Sequence, residues 1–439
     1  MMNSPPGNPA FRARRLILWV LALAYFFVYF HRLSLSVVAD ELAREFSASA
    51  GAIGLLGSLY FYCYALMQFP SGLLSDSLGP RKTVAFFLII ASLGSVVFAF
   101  SPNMETAFAG RVLVGLGVAM VFVPAMKIFS QWFKADEFAT MAGVLNAVGG
   151  AGVLAATWAL ALMAESLGWR LSFALIGACT IVISLLAWMI VRDRPGKAER
   201  AALFGGDETV QNNRSGKDPG KDEAKIGLLE GARRVVSEKY FWPLAVWFFF
   251  DCGVFFGFGA LWAGPYLMDV YGMARSQAGS VLSMIAWGMI LGSPFLGFLS
   301  DRVLKSRKKV FLLCSVLLFV QLLFLKLFPA GLPPAALYAF FFLFSICSSS
   351  IVVIGFTMAK EMFPVSIAGA SIGAVNLFPF LGGAVFMPLL GGVLDFYPRS
   401  GGALPEEAYG AVIAVLLAAS GAAVGCVFFM KETFSQKGS

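Results

Sequence analysis

The sequence predicts an all-α integral membrane protein, with twelve transmembrane helices in two six-helix repeats around a central cavity. Three observations carry this. Of 439 residues, 59% are hydrophobic and 13% charged, against roughly 25% charged in a soluble domain, which rules out a water-soluble fold. The apolar residues gather into runs near the ~20 residues that cross a bilayer. A charged loop motif also recurs once in each half of the chain.

The apolar runs, bounded by charge, Gly or Pro, fall near residues 16–38, 52–74, 83–101, 107–128, 139–163 and 170–191, then 240–264, 277–299, 309–328, 334–357, 368–392 and 407–430. They make six plus six, dividing the chain into an N-terminal half (1–191), a linker (192–239) and a C-terminal half (240–439). The first run follows basic residues as a signal peptide would, but its length and the lack of a small-residue cleavage site mark it as a permanent span. The linker holds 11 Lys/Arg and 9 Asp/Glu, too polar for a core. At its end, Leu228, Leu229, Val235 and Val236 alternate with Arg233 and Arg234, a pattern suited to a short helix on the membrane surface. In the short loops, Lys and Arg divide 14 to 4 in favour of the side carrying both termini. The positive-inside rule therefore places both termini in the cytoplasm, and a bacterial inner membrane is the expected location.

The net charge of +8 belongs to these loops and forms no nucleic-acid face. Six isolated cysteines and one histidine offer neither a disulfide framework nor a zinc site. No metal, cofactor or enzymatic constellation is expected; the partners are lipid and a small molecule, and the protein is expected to be a monomer.

The motif Gly72-Leu-Leu-Ser-Asp-Ser-Leu-Gly-Pro-Arg-Lys82 returns as Gly297-Phe-Leu-Ser-Asp-Arg302 followed by Ser306-Arg-Lys-Lys309, with Asp76 and Asp301 offset by 225. Gly143-Val-Leu-Asn146 matches Gly373-Ala-Val-Asn376 at 230, and Lys127 matches Lys360 at 233. Parallel six-span repeats imply a substrate site near the midplane between the halves. With these motifs the chain resembles the major facilitator superfamily over nearly its whole length; Arg111-Val-Leu-Val-Gly-Leu-Gly117 and the glycines Gly149, Gly150 and Gly152 are similar to weaker motifs of that family. Asp76 with Arg81, and Asp301 with Arg307, sit where a cytoplasmic latch between the halves would form against helix N-termini. The resemblance implies that such acids stabilise the outward-open state. The plainer reading is a helix stop with solvated charges.

Ionisable groups inside spans cost at least ~2.5 kcal/mol and are read as functional. Tyr25, Tyr29, Arg32 and Ser36 share one face of span one, and Tyr60, Tyr64 and Gln68 repeat the spacing on span two. Asn146 and Asn376 are placed to face each other across the cavity, and Arg111 lies at a depth similar to Arg32. Two guanidiniums at one cavity favour an anion, because Arg can grip a carboxylate or phosphate with two parallel hydrogen bonds. The alternative for Arg32 is an ion pair with Asp251, the acid in the middle of span seven. The stretch from Tyr29 to Ser36 also resembles the first span of the anion:cation symporter and organophosphate antiporter branches, where an Arg at this place contacts the anion. The symporters' usual acid before that Arg is His31 here, and their acid after the span-four glycines is Val118. Asp251 and His31 are therefore the candidate proton carriers. The expectation is a proton-coupled secondary transporter of a small organic anion, a carboxylate or phosphate ester. Anion exchange without protons, export of amphipathic metabolites or drugs past Phe255-Phe-Gly-Phe258, and a non-transporting receptor are the other readings.

Overall fold

The computed structural model describes residues 9–204, 228–363, 368–399 and 403–434. Helices dominate it. The first span is Pro9–Leu33, continued by a 3-10 turn at Ser34–Val37. Spans two to four are Ala50–Ser77, Pro80–Ala99 and Met104–Trp132. Spans five and six run on as nearly continuous helix from Ala135 to Ile190, parted at Gly168, whose φ of 77° breaks the helix where an L side chain would be strained. The second half repeats the order with Phe241–Tyr271, Arg275–Val303, Arg307–Leu327, Pro334–Glu361, Ala368–Leu394 and Glu406–Phe429. The twelve-helix, six-plus-six layout is present. A further helix in the linker region, Leu228–Ser237, buries Val235 and exposes Arg233, Arg234 and Val236.

The outward faces carry Trp19, Leu66, Phe86, Trp188, Met189, Phe295 and Phe429, all large and exposed. In water such a surface would aggregate; in lipid it is the solvated side.

The loop motif is explained by what it holds together. Gly79 has φ 89° and Pro80 opens the third span, so the chain turns sharply without a wasted N–H. The Arg81 backbone N–H donates to Asp193 (2.7 Å), and its Nε donates to the Trp188 carbonyl (2.8 Å). In the other half, the N–H groups of Arg307 (3.0 Å) and Lys308 (3.2 Å) and the Ser306 hydroxyl donate to Glu432. Each motif thus docks the start of the third or ninth span onto an acid just beyond the sixth or twelfth. Burial raises the pKa of Glu432, but the hydrogen bonds from Ser306, Phe434, Arg307 and Lys308 outweigh it and hold the carboxyl below its ordinary value.

The four acids and bases expected to form a latch between halves are engaged within their own halves in this conformation. Asp76 accepts from Lys127 Nζ at 2.5 Å, and Lys127 also donates to the Ser75 carbonyl. Arg81 is held as described, and Arg307 joins Asp301 to Glu361.

The halves meet along two seams, span two against eleven and span five against eight. On the side away from the termini the backbones touch. A Cβ on Gly54 would lie 2.5 Å from the Met387 carbonyl oxygen, and one on Gly279 would lie 2.6 Å from that of Thr157. Toward the termini the same spans separate: at Gly72, Gly143, Gly297 and Gly373 an added Cβ would meet nothing within 4 Å. The cavity therefore opens on the side of the termini.

Candidate substrate site

Arg32 sits at the last turn of the first helix, 6% exposed, on the N-terminal side of the seam. Among the described residues, five rings surround its guanidinium carbon. Tyr29 lies 4.6 Å away, Tyr64 5.1 Å, Phe380 5.2 Å, Phe256 5.8 Å and Tyr60 6.0 Å. Two of these, Phe256 on span seven and Phe380 on span eleven, come from the opposite half. Phe380 stacks on Tyr64 at 4.2 Å, and Phe61 meets Phe256 at 4.7 Å. The cage closes only because the halves meet here.

The alternative pairing of Arg32 with Asp251 is not formed. Among the described residues no carboxylate forms a salt bridge with Arg32, and its Nε has no hydrogen-bond partner. Ring faces stabilise a guanidinium by about 0.5–2 kcal/mol per contact, whereas burying an ion costs several kcal/mol even after relaxation. The cage orients the cation without neutralising it, and an incoming anion would do so.

Arg111 is in a different position. It is 1% exposed, its Nη1 donates to the His31 carbonyl (3.2 Å), and it stands 5.5 Å from the Tyr60 ring. It thus clamps span four to the end of span one, with Tyr60 between the two guanidiniums. Tyr60 in turn donates to the Val28 carbonyl (3.1 Å), fixing the same stretch of backbone.

Tyr25 is buried edge-on against Tyr29 (5.2 Å) and beside Phe122, not against Arg32. The single face expected to run through Ser36 stops short of it: the helix tightens to a 3-10 turn at Ser34, and the Ser36 hydroxyl bonds the Leu33 carbonyl. Asn376 donates to Gln68 (3.3 Å), joining spans eleven and two one turn below Tyr64, while Asn146 is exposed. The expected facing pair of asparagines is thus a Gln–Asn contact between halves.

Asp251 lies wholly buried in span seven, just before a π-helical stretch at Phe255–Trp262. Its Oδ2 accepts from Ser348 (3.3 Å), itself in a π-helical stretch of span ten, and among the described residues its Oδ1 has no partner. Such stretches gather at functional sites. His31 is also fully buried, near Phe30 and Phe27, and among the described residues neither ring nitrogen has a hydrogen-bond partner. Among the described residues no group of three or more His, Cys, Asp or Glu could hold a metal ion.

Phe256 and Phe380 as partners of Arg32, and Asp193 and Glu432 as docking acids, are seen only in the fold. Residues 21–263 and 248–438 each match the profile described as Major Facilitator Superfamily, together covering nearly the whole chain. The chain belongs to the major facilitator superfamily. It is a multi-pass membrane transporter and not an enzyme. Among similar curated proteins are the probable sulfoacetate transporter SauU of Cupriavidus necator, 25% identical over 71% of this chain and 70% of the relative. The glycerol-3-phosphate transporter of Bacillus subtilis is 25% identical over 82% and 81%. A bacterial homologue of the lysosomal transporter Spinster, solved in an inward-facing, unoccupied conformation, shares the fold with TM-score 0.70 and 20% identity over 98% of this chain and 95% of that one.

Proposed function

We propose that this superfamily member carries a small organic anion, a carboxylate, sulfonate or phosphate ester, across the bacterial inner membrane as a monomer with both termini in the cytoplasm. The observation that supports this best is Arg32: a buried guanidinium, without an acid partner, inside a cage assembled from both halves. Both of the curated transporters described above bear names of anionic substrates.

In this reading the anion enters from the cytoplasmic opening, passes Gln68 and Asn376, and takes a forked contact with Arg32 while Tyr29, Tyr60 and Tyr64 line it. Arg111 keeps span one in register. Asp251, with His31 as the second titratable group of the core, exchanges the coupling proton. When the cytoplasmic side closes, Asp76 and Asp301 exchange their present partners for helix ends of the opposite half, forming the complementary latch with Arg81 and Arg307. Anion exchange without a proton is the second reading, favoured by Asp251 having Ser348 and not Arg32 as its neighbour.

A thermal-shift screen of purified protein against carboxylates, sulfonates, phosphate esters, neutral solutes and cations tests the substrate class, since a ligand bound to the folded state raises its stability by mass action. Anions are expected to shift the protein. A best ligand that is neutral or cationic contradicts the reading.

A further inference from the structure

The side of the protein away from the termini is closed by two contacts that obey the repeat. At the start of span two, the N–H groups of Ala50 (2.6 Å) and Gly51 (2.8 Å) donate to the two oxygens of Asp395, at the end of span eleven in the opposite half. At the start of span eight, the N–H of Ser276 donates to Glu165 (2.6 Å), at the end of span five in the opposite half. Glu165 and Asp395 are offset by 230, as are Asn146 and Asn376; Gly51 and Ser276 are offset by 225, as are Asp76 and Asp301. The two contacts are therefore copies of each other under the duplication that made the halves. A third pairing across the halves, Arg275 with Glu41 at 2.7 Å, reinforces the second of them.

Free N–H groups of a helix's first turn and its dipole attract a carboxylate. Here each helix receives that carboxylate from the other half, so the bonds exist only while this side is shut. The seams behind them are tight: Gly391 packs on Ala50, and Gly279 on Thr157 and Ala161. At the other end of the same four spans the seams are apart.

We propose that Asp395 and Glu165 form a duplicated external latch that holds the cytoplasm-open conformation, each seated on the N-terminus of the other half's second span. This rests on the alternating motion of a transporter but not on the identity of its substrate. Because the halves move as rigid bodies, releasing one latch loosens the other.

The test is hydrogen–deuterium exchange on the purified full-length protein and its Asp395→Ala and Glu165→Ala variants, with no substrate added. Both carboxylates lie on exposed residues, so the variants are expected to fold. In Asp395→Ala, exchange should quicken at Ala50 and Gly51 and also at Ser276, whose own cap is untouched, while the cytoplasmic ends around residues 72–79 and 297–303 become slower to exchange. Glu165→Ala should give the reciprocal pattern. Acceleration confined to the helix that lost its cap, in either variant, overturns the latch and leaves only local caps; a failed substrate screen would not affect this outcome.

Discussion

At the residue scale, Arg32 is a buried cation that no acid among the described residues neutralises. Arg32→Lys keeps the charge but loses the fork, and losing on the order of 1.5–3 kcal/mol of charged hydrogen bonding should weaken anion binding about tenfold or more, as measured by calorimetric titration. Phe380→Ala removes one wall of the cage from the opposite half and should also weaken binding, whereas normal affinity in that variant would show that the cage has no part in it. For Asp251, substitution by Asn should abolish accumulation driven by a pH gradient while leaving counterflow measurable in proteoliposomes. Loss of both together points to a structural carboxylate instead. Arg32 was legible in the sequence because a charge amid apolar residues stands out. Phe256 was legible only as part of the Phe255–Phe258 stretch read as a lining for amphipathic cargo, and Phe380 not at all, since 44 phenylalanines give no pattern by which to pick the two that face Arg32.

At the scale of the element, the spans were legible from their length and polarity, and the repeat from its constant offsets. What the sequence did not disclose was what the loop motif grips. Asp193 and Glu432 sit beyond the repeat units among ordinary charged residues, and only the fold brings them to the starts of spans three and nine. The lowered pKa of Glu432 carries a sign. Its carboxylate stabilises the fold fully above the ordinary glutamate value of 4.5, and that contribution is lost as pH falls through the lower folded-state value. Thermal unfolding of Glu432→Gln in detergent should thus show a lower Tm than the parent at neutral pH, with the gap closing as the pH is taken below 4.5. A gap independent of pH would mean that the carboxylate's charge is not what matters. Gly54 tests the seam: Gly54→Val drives side-chain carbons into the Met387 backbone. Overpacking of about 1–3 kcal/mol there should disfavour closure of the side away from the termini and reduce counterflow, and unchanged flux would show that the seam yields freely.

For the whole molecule, the sequence predicted two halves and a site between them but not which side stands open. That depends on which of two alternative sets of contacts between halves is made, and a single sequence encodes both. The residues expected to lock the cytoplasmic side are present, yet occupied within their own halves, while the opposite side is held by Asp395 and Glu165. In the proposed cycle the cargo moves as one set is exchanged for the other around Arg32. Counterflow of a radiolabelled organic anion from the thermal-shift screen, in proteoliposomes of the parent protein and of Arg32→Lys, tests this most directly. The account predicts saturable exchange by the parent and a loss of about tenfold or more in Arg32→Lys at subsaturating anion; equal flux in the two proteins would contradict it.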